Sequence, residues 1–233
     1  MTATVDVWSV SVPSAPAAAI ASLPEAERLR AKRLCRAADR RRRLVATALM
    51  HRAIARAAGC RPASVRVMRH CARCGVGDHG RPFVLRPAGC GLSVSAAHAG
   101  ELAMVACTNG ADVGVDVEHD DAVDVDAIAP VALADQERAA VTSPRALVRT
   151  WTRKEAILKA LGCGLAYPPD RLVVSSPLGP PCVVAWLDAP PAHAQRPLAL
   201  RDLTPAPGYV AAVAVTASTA SLTLHDGLPL LAL

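Results

Sequence analysis

Aromatic residues are nearly missing from this chain: Phe, Trp and Tyr together make 3 % of 233 residues, with a single Phe. Any core must therefore be aliphatic, built from the abundant Ala, Val and Leu. A base-stacking platform for single-stranded nucleic acid is disfavoured for the same reason, and no nucleic-acid-binding motif is visible. The first residues, Met1-Thr-Ala-Thr-Val-Asp6, lack the charged and apolar regions of a signal peptide. No stretch approaches the roughly 20 apolar residues of a membrane helix. The eight cysteines are scattered through apolar or helical contexts, as small core hydrophobes of a reduced protein are. The expectation is a soluble, cytoplasmic protein with no membrane and no nucleic acid among its partners. No repeat and no long linker is visible.

What is present is charge, unevenly spread. The formal net charge is +6. Between Glu25 and Arg66 there are thirteen Lys/Arg and three acids, whereas between Asp112 and Glu137 there are nine Asp/Glu and no Lys/Arg. A basic half facing an acidic half suits a polyanion held partly through metal, or an acidic protein partner. The arginine run is also what a solvated helix face looks like.

The patterning predicts an opening strand at Val5–Val10, a loop at Pro13–Pro16 and a basic helix from Ser22-Leu23-Pro24-Glu25 to about Ala38. A second helix runs from Arg40 to Ala58, with Leu44, Ala48, Leu49, Ala53 and Ile54 at helical spacing. Arg43 and Arg52 lie on its other faces. Short strands follow at Val65–Met68, Phe83–Leu85 and Leu92–Ser95, then a turn at Ala96–Gly100 and a strand at Leu102–Cys107. Asn109-Gly110 is a hairpin signal. It delivers the chain into Val113–Glu118. Asp120–Asp126 is expected to be exposed. Helical stretches are predicted at Asp135–Val141 and Pro144–Leu161. Five apolar runs between Arg171 and His225, separated by Pro and Gly, read as an antiparallel sheet. Two α+β lobes result, residues 1–111 and 112–233, each an antiparallel sheet with packed helices.

Chemistry concentrates between Val113 and Leu165. Asp116 and Glu118 are two apart on a strand and share a face, a hard-oxygen arrangement for a cation such as Mg2+. Two solvent-facing acids are the plainer reading. Glu155 and Lys159 stand at i, i+4, the order that favours a helix ion pair. Lys154 suits a phosphate or solvent. Trp151, one turn before Glu155, needs a partner for its indole N–H if buried. His98 and the Gly80-Arg81-Pro82 turn are candidate phosphate donors or plain structure. Cys71-x-x-Cys74 with His70 and His79 has partial zinc spacing. A structural zinc site takes four ligands, and no second such pair occurs, so a reduced, metal-free loop is the default reading.

The succession Gly80-Arg81-Pro82, His98, Gly114-Val-Asp116-Val-Glu118 and Trp151-x-x-Lys154-Glu155-Ala156-x-x-Lys159-Ala160-x-Gly162-x-Gly164 resembles the 4'-phosphopantetheinyl transferase family. The length suggests its larger, surfactin-type class, a monomer of two similar lobes related by a pseudo-twofold. The resemblance implies that coenzyme A binds between the lobes. Mg2+ would sit on Asp116, Glu118 and Glu155. A serine hydroxyl of an apo acyl or peptidyl carrier protein would attack the β-phosphate and take the phosphopantetheine arm, and 3',5'-ADP would leave. Glu155 is implied as base and Lys159 as the group that meets the leaving phosphate. Arg43, Arg52, Gly80, Arg81, Pro82, His98, Lys154 and Lys159 are implied to bind the coenzyme. Carriers of fatty-acid, polyketide and nonribosomal-peptide synthesis all fit.

Three departures stand out. The family usually reads Ser-His-Ser where this chain has Ala97-His98-Ala99, with Ser93 or Ser95 as stand-ins for the phosphate contacts. The Phe often found before Glu137 is missing. Arg81 replaces a common Lys. The alternative is a degenerate module that holds coenzyme A or a carrier protein without transfer.

Overall fold

The computed structural model describes residues 2–71, 73–75, 77, 79–120 and 124–232. The architecture is mixed α+β, with several antiparallel sheets and packed helices. The first half runs β1 (Thr2–Ser11), α1 (Ala17–Ala21), α2 (Glu25–Lys32), α3 (Ala37–Ala57), β2 (Arg66–His70), β3 (Arg81–Arg86), β4 (Leu92–Ala99) and β5 (Leu102–Asn109). The second runs β6 (Val113–His119), α4 (Val125–Ala132), α5 (Pro144–Ala160), β7 (Leu172–Val174), β8 (Val183–Trp186), β9 (Ala199–Leu203) and β10 (Tyr209–Val215). Strand β11 (Thr219–Asp226) and helix α6 (Leu228–Ala232) follow.

The same wiring occurs twice. In one sheet the order is β11-β1-β5-β4, and in the other β6-β10-β9, so each half pairs its first strand with its last and its last with its penultimate. Each half also inserts a two-stranded pair, β2-β3 or β7-β8, after its long helix.

Strand periodicity sorts the side chains into layers. Trp8, Val10, Ala103, Val105 and Cys107 turn to one side and pack with Leu49, Ala53 and Ile54 of α3. Val5, Val7, Met104 and Ala106 turn the other way and meet Val113, Val115, Val117, Ala211 and Val213 of the second sheet. Ala212 and Ala214 then face Ile157, Leu158 and Leu161 at the far side. The stack is α3, sheet, sheet, α5. Alanine at so many of these positions lets layers approach closely. Gly114 takes this furthest: a Cβ there would lie 2.5 Å from the backbone N of Ala160 and against the carbonyl of Ala156.

Several predicted elements move. The basic helix ends at Lys32, and Ser22 closes the short α1, which composition gave no reason to expect. Ala96–Ala99 is strand, not turn, paired with Leu102–Val105 of β5. Asn109-Gly110 turns the chain, with Gly110 at φ 75, but makes no hairpin: β5 pairs with β1 and β4, and β6 with β10. The turn passes the chain from one sheet to the other. The acidic segment from Asp120 falls partly outside the described residues, and its end enters α4 under an Asp124 cap that accepts from the Ala127 amide. The five C-terminal strands do not form one sheet. The last of them, β11, returns to the first sheet and runs parallel to β1. The pairing of β11 with β1 was not visible in its local pattern, because partner choice is a tertiary matter.

Candidate active site

At one edge of the stack β4 runs beside β6. Ser93 Oγ accepts from the Val113 amide at 3.2 Å and Ser95 Oγ from the Val115 amide at 3.1 Å. These hydroxyls accept from the free edge of β6 and keep their own protons to donate, and Ser95 also lines the larger of two adjacent cavities.

Two cavities open beside this junction. The larger, about 510 Å3, is lined by Arg43, Thr47 and Met50 of α3, Arg69 and His70 of β2, Gly80, Arg81 and Pro82, and Gly162–Ala166 after α5. The smaller, about 290 Å3, is lined by Asp116, Glu118, Trp151, Ala97 and their neighbours. Ala96, His98, Glu155, Lys159 and Leu165 line both, so the two cavities adjoin.

The smaller cavity is acidic. Lys159 Nζ donates to Asp116 Oδ1 at 2.6 Å and to the Val115 carbonyl at 3.2 Å. The expected i, i+4 partner Glu155 is not its hydrogen-bond acceptor. Burial raises Asp116, and Lys159 opposes that rise. Glu118 is pushed up to about 7, first by burial and then by repulsion from Asp116, although the Trp151 indole N–H donates to it. Glu155 is pushed up to about 6 by burial, with Asp116 adding to the rise and Lys159 opposing it. Burial disfavours the Lys159 charge, but the surrounding acids more than compensate and hold it above its ordinary value. Three carboxylates thus share one ammonium.

Asp116 Oδ2 and Glu155 Oε1 are buried and have no hydrogen-bond partner. A buried unpaired carboxylate oxygen is costly, and hard oxygens facing excess negative charge are what a divalent cation binds. The donor set fits such an ion. The three carboxylates do not yet present oxygens all within 4.8 Å of one another, and Lys159 holds one of them, so ligation takes side-chain rotation.

The larger cavity is basic. Arg43 is lowered by burial and by the nearby Arg30. Arg69 is pulled to about 10, mainly by burial, with Arg43 and Arg30 adding repulsion against the help of Glu27. Its buried Nε lacks a partner. Uncompensated guanidinium groups around a cavity suit an anion. His98 sits near the end of β4, lowered chiefly by burial, and so is a neutral donor or acceptor. Arg81 is partly engaged: it pairs with Asp112 and reaches Ser93 Oγ at 3.3 Å. Gly80, at φ 89, presses against the backbone of His70 and Cys71. Arg69 was absent from the sequence reading. The signal lay in its parity with Val67 on β2, which turns the arginine inward.

Two expected coenzyme ligands lie elsewhere. Lys154 is fully buried. Its ammonium pairs with Glu137 and donates to the carbonyls of Ala132 at 2.6 Å and Pro169 at 3.0 Å. Glu137 in turn accepts from the amides of Ala134 and Val174, each at 2.9 Å. This pair ties α5 to the segments around it and cannot reach the cavity. Arg52 is buried on the far side of α3. Nine residues from Arg43, it lies about 180° around the helix, away from the Arg43–Thr47–Met50 face. The neighbouring Arg153 is also structural, gripping Asp202 at 2.9 and 2.6 Å and the carbonyls of Ser175, Ser176 and Gly179.

Among the described residues no helix is long and apolar enough to cross a membrane. No curated protein matches the chain. Residues 112–214 match the family model described as the 4'-phosphopantetheinyl transferase superfamily, a span that runs from the strand of Asp116 and Glu118 through the helix of Glu155 and Lys159 to β10. The second half of the chain is therefore similar to that superfamily.

Proposed function

We propose that the protein moves the 4'-phosphopantetheine arm of coenzyme A to a serine hydroxyl of an apo acyl or peptidyl carrier protein, as a cytoplasmic monomer of the surfactin-type class. The observation that carries this reading is a basic, nucleotide-sized cavity adjoining a pocket of three carboxylates and one lysine, with His98, Glu155 and Lys159 lining both. Arg43, Arg69 and His98 line the wall for the nucleotide phosphates. Mg2+ on Asp116, Glu118 and Glu155 would supply charge neutralisation at the pyrophosphate.

The serine oxygen forms a bond to the β-phosphorus, and the bond from that phosphorus to the bridging oxygen breaks. 3',5'-ADP leaves with the electron pair. Lys159, aimed into the acidic pocket, meets the charge that develops on it. Glu155 takes the serine proton, directly or through a water. Such transfer relies on positioning and charge neutralisation, and the cleft offers both. The Lys154–Glu137 pair acts indirectly, by holding the helix that carries Glu155 and Lys159.

The test is the intact mass of an apo carrier protein incubated with the protein, coenzyme A and Mg2+. A gain of one phosphopantetheine group is expected, and none with Asp116→Ala, which should remain folded. No gain with the unsubstituted protein across a panel of fatty-acid, polyketide and peptide carriers sinks the transfer reading and leaves a binding module.

A further inference from the structure

The loop between β2 and β3 holds a second group of candidate metal ligands that the transfer reading does not use. Cys71, Cys74 and His79 place their ligand atoms all within 4.8 Å of one another. Cys74 Sγ lies 3.2 Å from His79 Nε2. Around a tetrahedral zinc with bonds of about 2.3 Å to sulfur and 2.0 Å to nitrogen, the ligand atoms would be separated by about 3.5–3.8 Å. The group is thus close to the required spacing.

We propose that Cys71, Cys74 and His79 bind Zn2+, with the fourth position filled by water. The local backbone supports the arrangement. His70 on β2 pairs with Arg81 on β3, so the two ends of the loop start side by side. The Gly75 amide donates to the Cys71 carbonyl at 2.8 Å, and Gly75 takes φ 69. This closes Cys71-x-x-Cys74 into a tight turn that only glycine makes without strain. Gly80 brings the chain back: a Cβ there would lie 2.7 Å from Cys71 Cα. A side chain at Gly80 would push His79 away from the cysteines.

The chemistry points the same way. The amides of Cys74 and Arg73 donate to the Cys71 sulfur, as they would to the thiolate that ligates metal. Two sulfurs and an imidazole select a borderline-soft ion over Mg2+ or Ca2+. Cys74 and His79 are exposed, so an ion can enter and a water can complete the tetrahedron. All eight cysteines are free. The sheet being stapled is only two strands wide, a size that is marginal by itself, and it presents Arg69, Gly80 and Arg81 to the larger cavity. Zinc would fix that wall. Binding would release the protons of the two thiols.

The proposal is independent of the transfer activity, and its test reads metal directly. The full chain is purified with reductant, supplied with Zn2+, passed through a desalting column and assayed for zinc. One zinc per chain is expected, falling to background with Cys74→Ser and with His79→Ala, and unchanged with Cys35→Ser. The unsubstituted protein loaded with Co2+ should show thiolate-to-cobalt charge-transfer absorption and the intense visible bands of tetrahedral cobalt. That spectrum needs no variant, so a misfolded mutant does not enter. Zinc-free protein after loading, octahedral cobalt without sulfur bands, zinc retained by Cys71→Ser/Cys74→Ser, or a Cys71–Cys74 disulfide that persists in reductant would each overturn it.

Discussion

The two halves use the same strand for different ends. β1 carries Val5-Asp6-Val7 and β6 carries Val115-Asp116-Val117, and in both the valines fill the layer between the sheets. The aspartates point the opposite way. In the first half β1 has a neighbour on each side, β11 and β5. Asp6 meets His225 of β11 at 2.6 Å, and Trp8 stacks on the same imidazole with ring centroids 5.1 Å apart. In the second half, among the described residues, no strand covers β6 as β11 covers β1. Its edge is met by serine hydroxyls, and Asp116 opens into a cavity with Lys159. The extra strand closes one copy of the wiring, and the lack of a counterpart leaves the other open as a cleft. The helices divide in the same way. α3 lends Arg43 to the cavity, whereas α5 lends the acid and the lysine and anchors itself with Lys154 and Arg153.

The sharpest way to break the comparison is to make the same change in both strands. Asp116→Asn should lower transfer about 100- to 1000-fold, as loss of a group that holds charge in the reacting centre does. Asp6→Asn should leave transfer intact and cost about 0–1 kcal/mol of stability, the range for an exposed pair. Both are read by carrier-mass kinetics and denaturant melts. Equal losses would mean that Asp116 matters only for the strand.

The anchors give the next largest effect. Lys154→Met leaves Glu137 buried with an unpaired charge, and breaking such a pair costs about 3–5 kcal/mol. Gly114→Ala drives a methyl into the α5 backbone and should cost about 3 kcal/mol, at the upper end of overpacking. The corresponding Thr4 of β1 is exposed, and Thr4→Ala should fall within about 0.5 kcal/mol. Urea midpoints measure all three. A mild Gly114→Ala would show that α5 shifts freely, and the tight layer would lose its role in placing Glu155.

Local pattern revealed much of this and missed it at definable points. The long helices, the acidic strand and the Tyr209–Val215 strand were legible because apolar spacing is a one-dimensional signal. Asp116, Glu118, Glu155 and Lys159 were legible as a set only through their order along the chain. Partner choice was not legible: Asn109-Gly110 has hairpin chemistry, yet the strands it joins enter different sheets. Nor could Lys154 and Glu155 be separated by type. Adjacent helical residues point about 100° apart, so one faces the cleft and the other an interior carboxylate. The repeat was invisible because it survives in strand order and in little more than a Val-Asp-Val tripeptide.

The smallest expected effect concerns pH, and it should belong to the second half alone. Glu118 and Glu155 are raised to about 7 and about 6 in the folded chain, above the roughly 4.3 of a free glutamate. A carboxyl raised on folding favours the native state while protonated. Its contribution is therefore complete below about pH 4.3 and is lost as the pH climbs through 6 to 7. Without divalent metal, the melting temperature should fall across that window by a few degrees beyond the trend of a Glu118→Gln/Glu155→Gln double variant. Mg2+ binds the ionised carboxylates, so millimolar Mg2+ should return the lost degrees at pH 8 and do little at pH 5. Asp6→Asn should leave the profile and the Mg2+ response unchanged. If Mg2+ stabilised the double variant as well as the unsubstituted protein, the ion would be binding elsewhere, and the open copy of the strand would have no claim to it.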